Sequence, residues 1–174
     1  MYSHNILWKA SRPDTQTRVY SPEKPSRPAP FVKCSVSMSQ MDAIRILLAD
    51  DHAVTRRGLS LLLQSLPGFT VVAEAADGRE AVEQAAAVRP DIAVLDIVMP
   101  HLNGIEAART IMAAYPAIAV VILSLHSEEA YVQKALAAGV RGYVLKSRAG
   151  QDLVEAIKAV HRGDTFFSQE VLER

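Results

Sequence analysis

Beyond residue 42 the hydrophobic period of this chain switches repeatedly between two values, and that alternation restricts its fold more than any other feature. Short runs in which every position is apolar, such as Ile46-Leu47-Leu48-Ala49 and Ile92-Ala93-Val94-Leu95, read as strands buried on both faces. Strands are expected at residues 45–49, 70–75, 92–95, 118–123 and 142–145. The stretches between them carry helical spacing. Leu59, Leu62, Leu63 and Leu66 predict a helix over 53–66, closed by Pro67-Gly68. Asp77 is placed to cap a helix over 78–88 that stops before Pro90. A helix over 104–114 is broken at Pro116. Ser127 is expected to cap the next one, with Glu128 and Glu129 in its first turn and Gly139 ending it after Ala138. The last, over 151–162, puts Leu153, Ile157 and Val160 on one face, a stripe read first as core and second as part of a dimer face.

Five apolar strands alternating with five helices require a sheet covered on both sides, hence parallel strands joined by right-handed crossovers. The expected fold class is α/β, a flavodoxin-like doubly wound five-stranded parallel sheet in the order 2-1-3-4-5. Ligands of such sheets bind outside the carboxyl ends of the strands.

The segment before this pattern is different in kind. Residues 1–40 hold five of the nine prolines, seven serines, and six basic residues against Asp14 and Glu23, without helical or strand period. They read as a disordered basic extension, either an inert tail or a mis-assigned start, since Met38 and Met41 stand just before the first strand. The chain as a whole balances 19 basic against 19 acidic residues, so there is no global pull toward nucleic acid or an anionic membrane. A single Cys34 excludes an internal disulfide and a multi-cysteine zinc site. The longest apolar run, over 117–123, is far short of a membrane span. A soluble, cytoplasmic protein is expected.

Chemistry is then sought at the strand ends. Asp50 and Asp51 follow the first strand, Asp96 the third, Ser124 the fourth and Lys146 the fifth. Each has an ordinary explanation alone: a helix cap, a solvated charge, a satisfied strand end. Together they put three carboxylates on one edge of one sheet. Two carboxylates ~4 Å apart repel by ~4 kcal/mol at an effective dielectric of ~20. A hard divalent cation removes that repulsion, and a small all-oxygen ligand set suits Mg²⁺ better than zinc.

The segments Leu-Leu-Ala-Asp-Asp-His (47–52), Ala-Val-Leu-Asp-Ile-Val-Met-Pro (93–100), Leu-Asn-Gly (102–104), Val-Val-Ile-Leu-Ser (120–124) and Gly-Tyr-Val-Leu-Lys-Ser (142–147) resemble the receiver domain of two-component response regulators. The resemblance runs from about Ala43 to Val160, and the wording at 138–146 and 166–171 is most similar to the NarL/FixJ subgroup with LuxR-type output. It implies a receiver over 43–162 that takes a phosphoryl group on Asp96 from a sensor histidine kinase. It further implies Mg²⁺ held by Asp51, Asp96 and the backbone carbonyl of Val98, with Asp50 holding metal-bound water. Lys146 and Ser124 would bind the phosphoryl group, and Ser124 with Tyr143 would form the switch. For Tyr143 the plain alternative is a half-buried ring with its hydroxyl in water. Ser147 stands where many receivers have proline, as in other NarL-type chains.

The resemblance also implies homodimerisation on activation, no membrane, and DNA binding only through an output domain, with residues 163–174 as the start of a linker toward it. Residues 150–174 offer one helix and a tail, less than a DNA-reading module needs. A stand-alone receiver acting by protein contact is the alternative. Two rival classes fit less well. A phosphohydrolase of the haloacid dehalogenase type would want an acid where Val98 stands, and a flavin-binding protein a Ser-, Thr- or Gly-rich loop where Asp50-Asp51-His52 stands.

Overall fold

A computed structural model describes residues 43–172; the expected disordered extension at 1–40 lies outside the described residues. The elements follow in the order β1 (Ile44–Ala49), α1 (Ala53–Gln64), β2 (Phe69–Ala75), α2 (Gly78–Val88), β3 (Ile92–Asp96), α3 (Gly104–Ala114), β4 (Ala119–Ser124), α4 (Glu129–Ala137), β5 (Gly142–Leu145), a 3₁₀ turn (Lys146–Arg148), α5 (Ala149–His161), β6 (Phe166–Phe167) and α6 (Gln169–Leu172). All strand pairs are parallel, and the sheet order is β2-β1-β3-β4-β5-β6.

The alternation of side chains along each strand sorts the core into two halves. Ile46, Leu48, Val94, Val121, Leu123 and Val144 face one way and meet Leu59 and Leu63 of α1 and Leu153 and Ile157 of α5. Leu47, Ala49, Leu95, Ile122 and Tyr143 face the other way and meet α2, α3 and α4 through Ala85, Ile111 and Val132. Leu153, Ile157 and Val160 are buried, so the apolar stripe of α5 is core and not a free dimer face.

The expected five-strand count is one short. After α5 the chain turns at Gly163, where φ is +92°, and runs back beside β5. Phe166 N–H bonds Arg141 O and Ser168 N–H bonds Tyr143 O, each at 2.9 Å. A strand of two residues has no period to read, which is why only pairing reveals it. Helix ends also moved. Asp77 caps α2 as expected, its carboxylate accepting from Arg79 and Glu80 N–H. Ser127 does not cap α4: Glu128 takes the N-cap position without a capping side chain. The preceding loop is tied to the helix instead, because the His126 ring stacks on Tyr131 at 4.6 Å.

Gly104 fixes how closely α3 approaches the site. A Cβ there would collide with the backbone carbonyl oxygen of Asp96, so only glycine lets the helix start directly against the end of β3. No helix among the described residues is long and apolar enough to cross a membrane.

Candidate functional site

β1 and β3 are neighbours, with Ala49 opposite Leu95, so Asp50 and Asp96 leave the sheet side by side. β4 and β5 continue the same edge, with Ser124 opposite Leu145, which delivers Lys146 to the site. Lys146 Nζ lies 2.7 Å from Asp96 Oδ2 and 2.8 Å from Asp50 Oδ2. The contact to Asp96 is a hydrogen bond. The one to Asp50 is close but not aligned as one, so Asp50 Oδ2 is buried with a charge beside it and no hydrogen bond to it. Asp50 Oδ1 accepts from His52 N–H at 2.8 Å. Arg56 Nη1 donates to the Asp50 carbonyl at 2.5 Å, which pins the backbone after β1.

Electrostatics follow from burial. Asp50 is fully buried and Asp96 is 4% exposed, while the Asp51 side chain keeps one edge in solvent. Burial pushes the Asp96 carboxyl above its usual range, and the Lys146 ammonium and Val98 N–H only partly offset that. Burial likewise works against the Lys146 ammonium, but Asp50 and Asp96 outweigh it and hold the lysine above its ordinary value. One ammonium is thus shared by two buried carboxylates, with Asp51 in the same cluster.

Ligand atoms of Asp50, Asp51, His52 and Asp96 all lie within 4.8 Å of one another. Asp51 and Asp96 therefore belong to one cluster whose ligand atoms could hold a single ion after small side-chain adjustments. The Asp50 Oδ2 atom without an aligned hydrogen bond, the excess of negative charge and the predominance of carboxylate oxygens fit a divalent cation. Val98 sits at the mouth of this pocket with an exposed side chain, and its N–H reaches Asp96 Oδ1 at 3.4 Å.

Ser124 and Tyr143 meet through a residue that sequence reasoning passed over. The buried Ser124 Oγ accepts from His126 N–H at 2.9 Å. Tyr143 is wholly buried and its hydroxyl donates to His126 O at 2.7 Å. The plain alternative, a hydroxyl in water, does not hold; burial instead pushes the phenol upward in pKa. Two further features were missed. His52 belongs to the acid cluster, and its place beside two aspartates was the available signal. Asp152, in the first turn of α5, is buried in a separate network with Arg148 and Ser168.

A doubly wound parallel sheet whose carboxyl edge gathers buried aspartates around one lysine defines a class, the α/β domains that hold their ligand at the carboxyl ends of the strands. The chain belongs to the response regulator receiver domain family, which matches residues 46–158, and its relatives place it with the receivers of LuxR/NarL-type two-component regulators. It is similar to the transcriptional regulatory protein DegU of Brevibacillus brevis, 40% identical over 128 residues. That match covers 74% of this chain and 54% of DegU, so the chain spans about half the length of that relative. Among solved structures it is similar to a LuxR-family two-component response regulator from Aurantimonas sp. SI85-9A1, with 40% identity, a TM-score of 0.72, and 75% and 94% of the two chains covered. It is also similar to the signal receiver domain of NarL from Mycobacterium tuberculosis, with 33% identity, a TM-score of 0.67, and 70% and 98% covered.

Proposed function

We propose that Asp96 accepts a phosphoryl group from a phosphohistidine of a sensor histidine kinase, and that the chain passes the signal on by changing a protein-binding face. The observation that carries this is the single ammonium of Lys146 set between Asp50 and Asp96, 2.8 and 2.7 Å away, in a pocket that remains negative. An Asp96 carboxylate oxygen attacks phosphorus in line as the bond to the donor imidazole nitrogen breaks, and the imidazole leaves with its electron pair. Oδ1 is the freer oxygen, since Lys146 holds Oδ2 and only a long bond from Val98 N–H reaches Oδ1. Lys146 then moves its pairing from the carboxylate to the phosphoryl oxygens.

Asp51, Asp96 and the Val98 carbonyl would hold Mg²⁺, with Asp50 ordering its water; bound there, the ion supplies positive charge against the carboxylates and the phosphoryl oxygens. Ser124 Oγ, now held by His126 N–H, would turn to the phosphoryl group. That rearranges the residue whose carbonyl holds the Tyr143 hydroxyl, and so the face made by α4, β5 and α5. A coupling of ~1–3 kcal/mol changes partner affinity ~5–150-fold. The chain is in this reading a phosphoacceptor that assists its own phosphorylation and dephosphorylation, not a turnover enzyme. We further infer a cytoplasmic location and dimerisation on activation. Residues 163–174 would lead toward a DNA-binding output domain, in keeping with the transcriptional regulation that the name of DegU states; a receiver acting by protein contact alone is the alternative.

Mass spectrometry after acetyl phosphate treatment tests the assignment. One phosphoryl group is expected on the wild-type chain with Mg²⁺, and none without Mg²⁺ or in Asp96→Asn. Stoichiometric acid-labile phosphate on Asp96→Asn would overturn it.

A further inference from the structure

We propose that His52 is a further ligand of the acidic pocket, its imidazole set against Asp50, Asp51 and Asp96, so that this chain binds zinc-class transition ions there more tightly than its carboxylates alone could. The inference rests on the reading of the pocket as a cation site and adds which ions it selects.

His52 occupies the N-cap position of α1, yet its side chain makes no capping bond. Its backbone N–H is held by Asp50 Oδ1 at 2.8 Å, and this turns the ring toward the acids. Nδ1 lies 2.6 Å from Asp51 Oδ1 and 3.6 Å from Asp50 Oδ1. Two lone pairs at the shorter distance repel unless something positive lies between them. A proton can do that, and so can a metal ion bound to both atoms. Ligands ~2.1 Å from one tetrahedral ion stand roughly 3.4 Å apart, so an outward turn of the ring by under about 1 Å suffices.

The second observation is Asp50 Oδ2, buried in the same cluster with no aligned hydrogen bond and only the Lys146 ammonium, shared with Asp96, 2.8 Å away. A buried anionic oxygen with half a share of one ammonium and no aligned donor has room for a further positive ligand. The set is then two or three carboxylates and one imidazole, with Asp51 and His52 on the solvent side giving an entry path. Magnesium gains little from an imidazole, whereas cobalt and zinc bind it well. His52 would therefore raise affinity for the latter and leave Mg²⁺ nearly unaffected.

The test uses the full chain and its His52→Gln and Asp51→Asn variants, titrated separately with Mg²⁺ and Zn²⁺. Zinc is followed by the ¹⁵N resonances of the individual imidazoles and by calorimetry, since His4, His101, His126, His161 and Cys34 offer it other sites. The expected result is a Zn²⁺-induced shift of His52 Nδ1 in the wild-type chain, lost in Asp51→Asn. His52→Gln should lose at least about tenfold in Zn²⁺ affinity at this site, the scale lost with even an outer partner of a metal ligand. Its Mg²⁺ affinity should stay within about twofold of wild type. Equal Zn²⁺ affinity in wild type and His52→Gln, with Mg²⁺ still bound, would overturn the role of His52 alone. Binding of neither ion by the wild-type chain would overturn the cation reading of the pocket itself. The His52 ring is 68% exposed, so the glutamine variant removes no core packing.

Discussion

Two sets of buried carboxylates lie at the carboxyl end of this sheet, and the protein treats them in opposite ways. Asp152, in the first turn of α5, is fully provided for: Arg148 grips both its oxygens at 3.0 and 3.2 Å and the Ser168 hydroxyl donates at 2.7 Å. Although burial alone would raise it, these partners hold its carboxyl below the ordinary value. Asp50 and Asp96 share one ammonium, Asp50 Oδ2 has no hydrogen bond, and burial holds Asp96 above the ordinary value. The first arrangement closes a structural joint, fastening the strand β6 to the start of α5. The second leaves charge uncompensated, at the place where the proposed cation and phosphoryl group would act. Full satisfaction of a buried acid thus marks structure, and its deficit marks function.

The sharpest way to break this contrast is to remove the cation from each set. Lys146→Met leaves Asp50 and Asp96 buried with no positive charge, a change of the kind that costs ~3–5 kcal/mol. Phosphoryl uptake should fall by ~10²–10³, the scale lost when one preorganised charge partner is removed. Arg148→Met should destabilise less, because Asp152 keeps the Ser168 hydroxyl and Arg148 is partly exposed. It should leave phosphoryl uptake near wild type. Denaturant unfolding and acetyl phosphate labelling of both variants check this; equal losses in the two would erase the distinction.

A second comparison uses one substitution type in both places. Asp152→Asn weakens charge-assisted hydrogen bonds and should cost ~2 kcal/mol. Asp50→Asn, measured with divalent ions removed, should stabilise the chain by ~1 kcal/mol, a fraction of the ~4 kcal/mol with which neighbouring carboxylates repel. Opposite signs in urea unfolding are the expected outcome. Loss of stability in both would mean that Lys146 already neutralises the pocket.

The difference between the sets also explains what could be read in advance. Five strands and five helices were legible because each is long enough to show a period, and the acid pocket because strand ends in a parallel sheet converge by topology. The Asp152 joint was not legible, since Ser168 reaches it only after β6 pairs with β5, and that strand is Phe166–Phe167 alone. Ser127 looked like a cap by type, but the N-cap falls one residue later at Glu128, after a loop held to α4 by the stacking of His126 on Tyr131. His126 itself serves Ser124 and Tyr143 through backbone atoms, which every residue type possesses. His52 stood in plain view next to Asp51, yet residue order alone does not say which way its ring turns.

The smallest expected effect is the response of each set to acid. Asp152 sits below the ordinary 3.8, so its stabilisation is complete above that pH and fades as pH falls through its lower folded value. The deficit of Asp152→Asn relative to wild type should therefore persist down to pH ~4 and shrink below it. Asp96 sits above the ordinary 3.8, so its charged form costs stability at neutral pH, and that cost disappears as pH falls from its raised folded value toward 3.8. Without divalent ions, any advantage of Asp96→Asn over wild type should be greatest near neutrality and vanish by pH ~4. One gap closes before the other begins to, and unfolding free energies of the two variants across this range would show the order. If both gaps closed together below pH 3.8, the two sets of carboxylates would be alike and Asp96 would carry no excess negative charge to spend on its ligands.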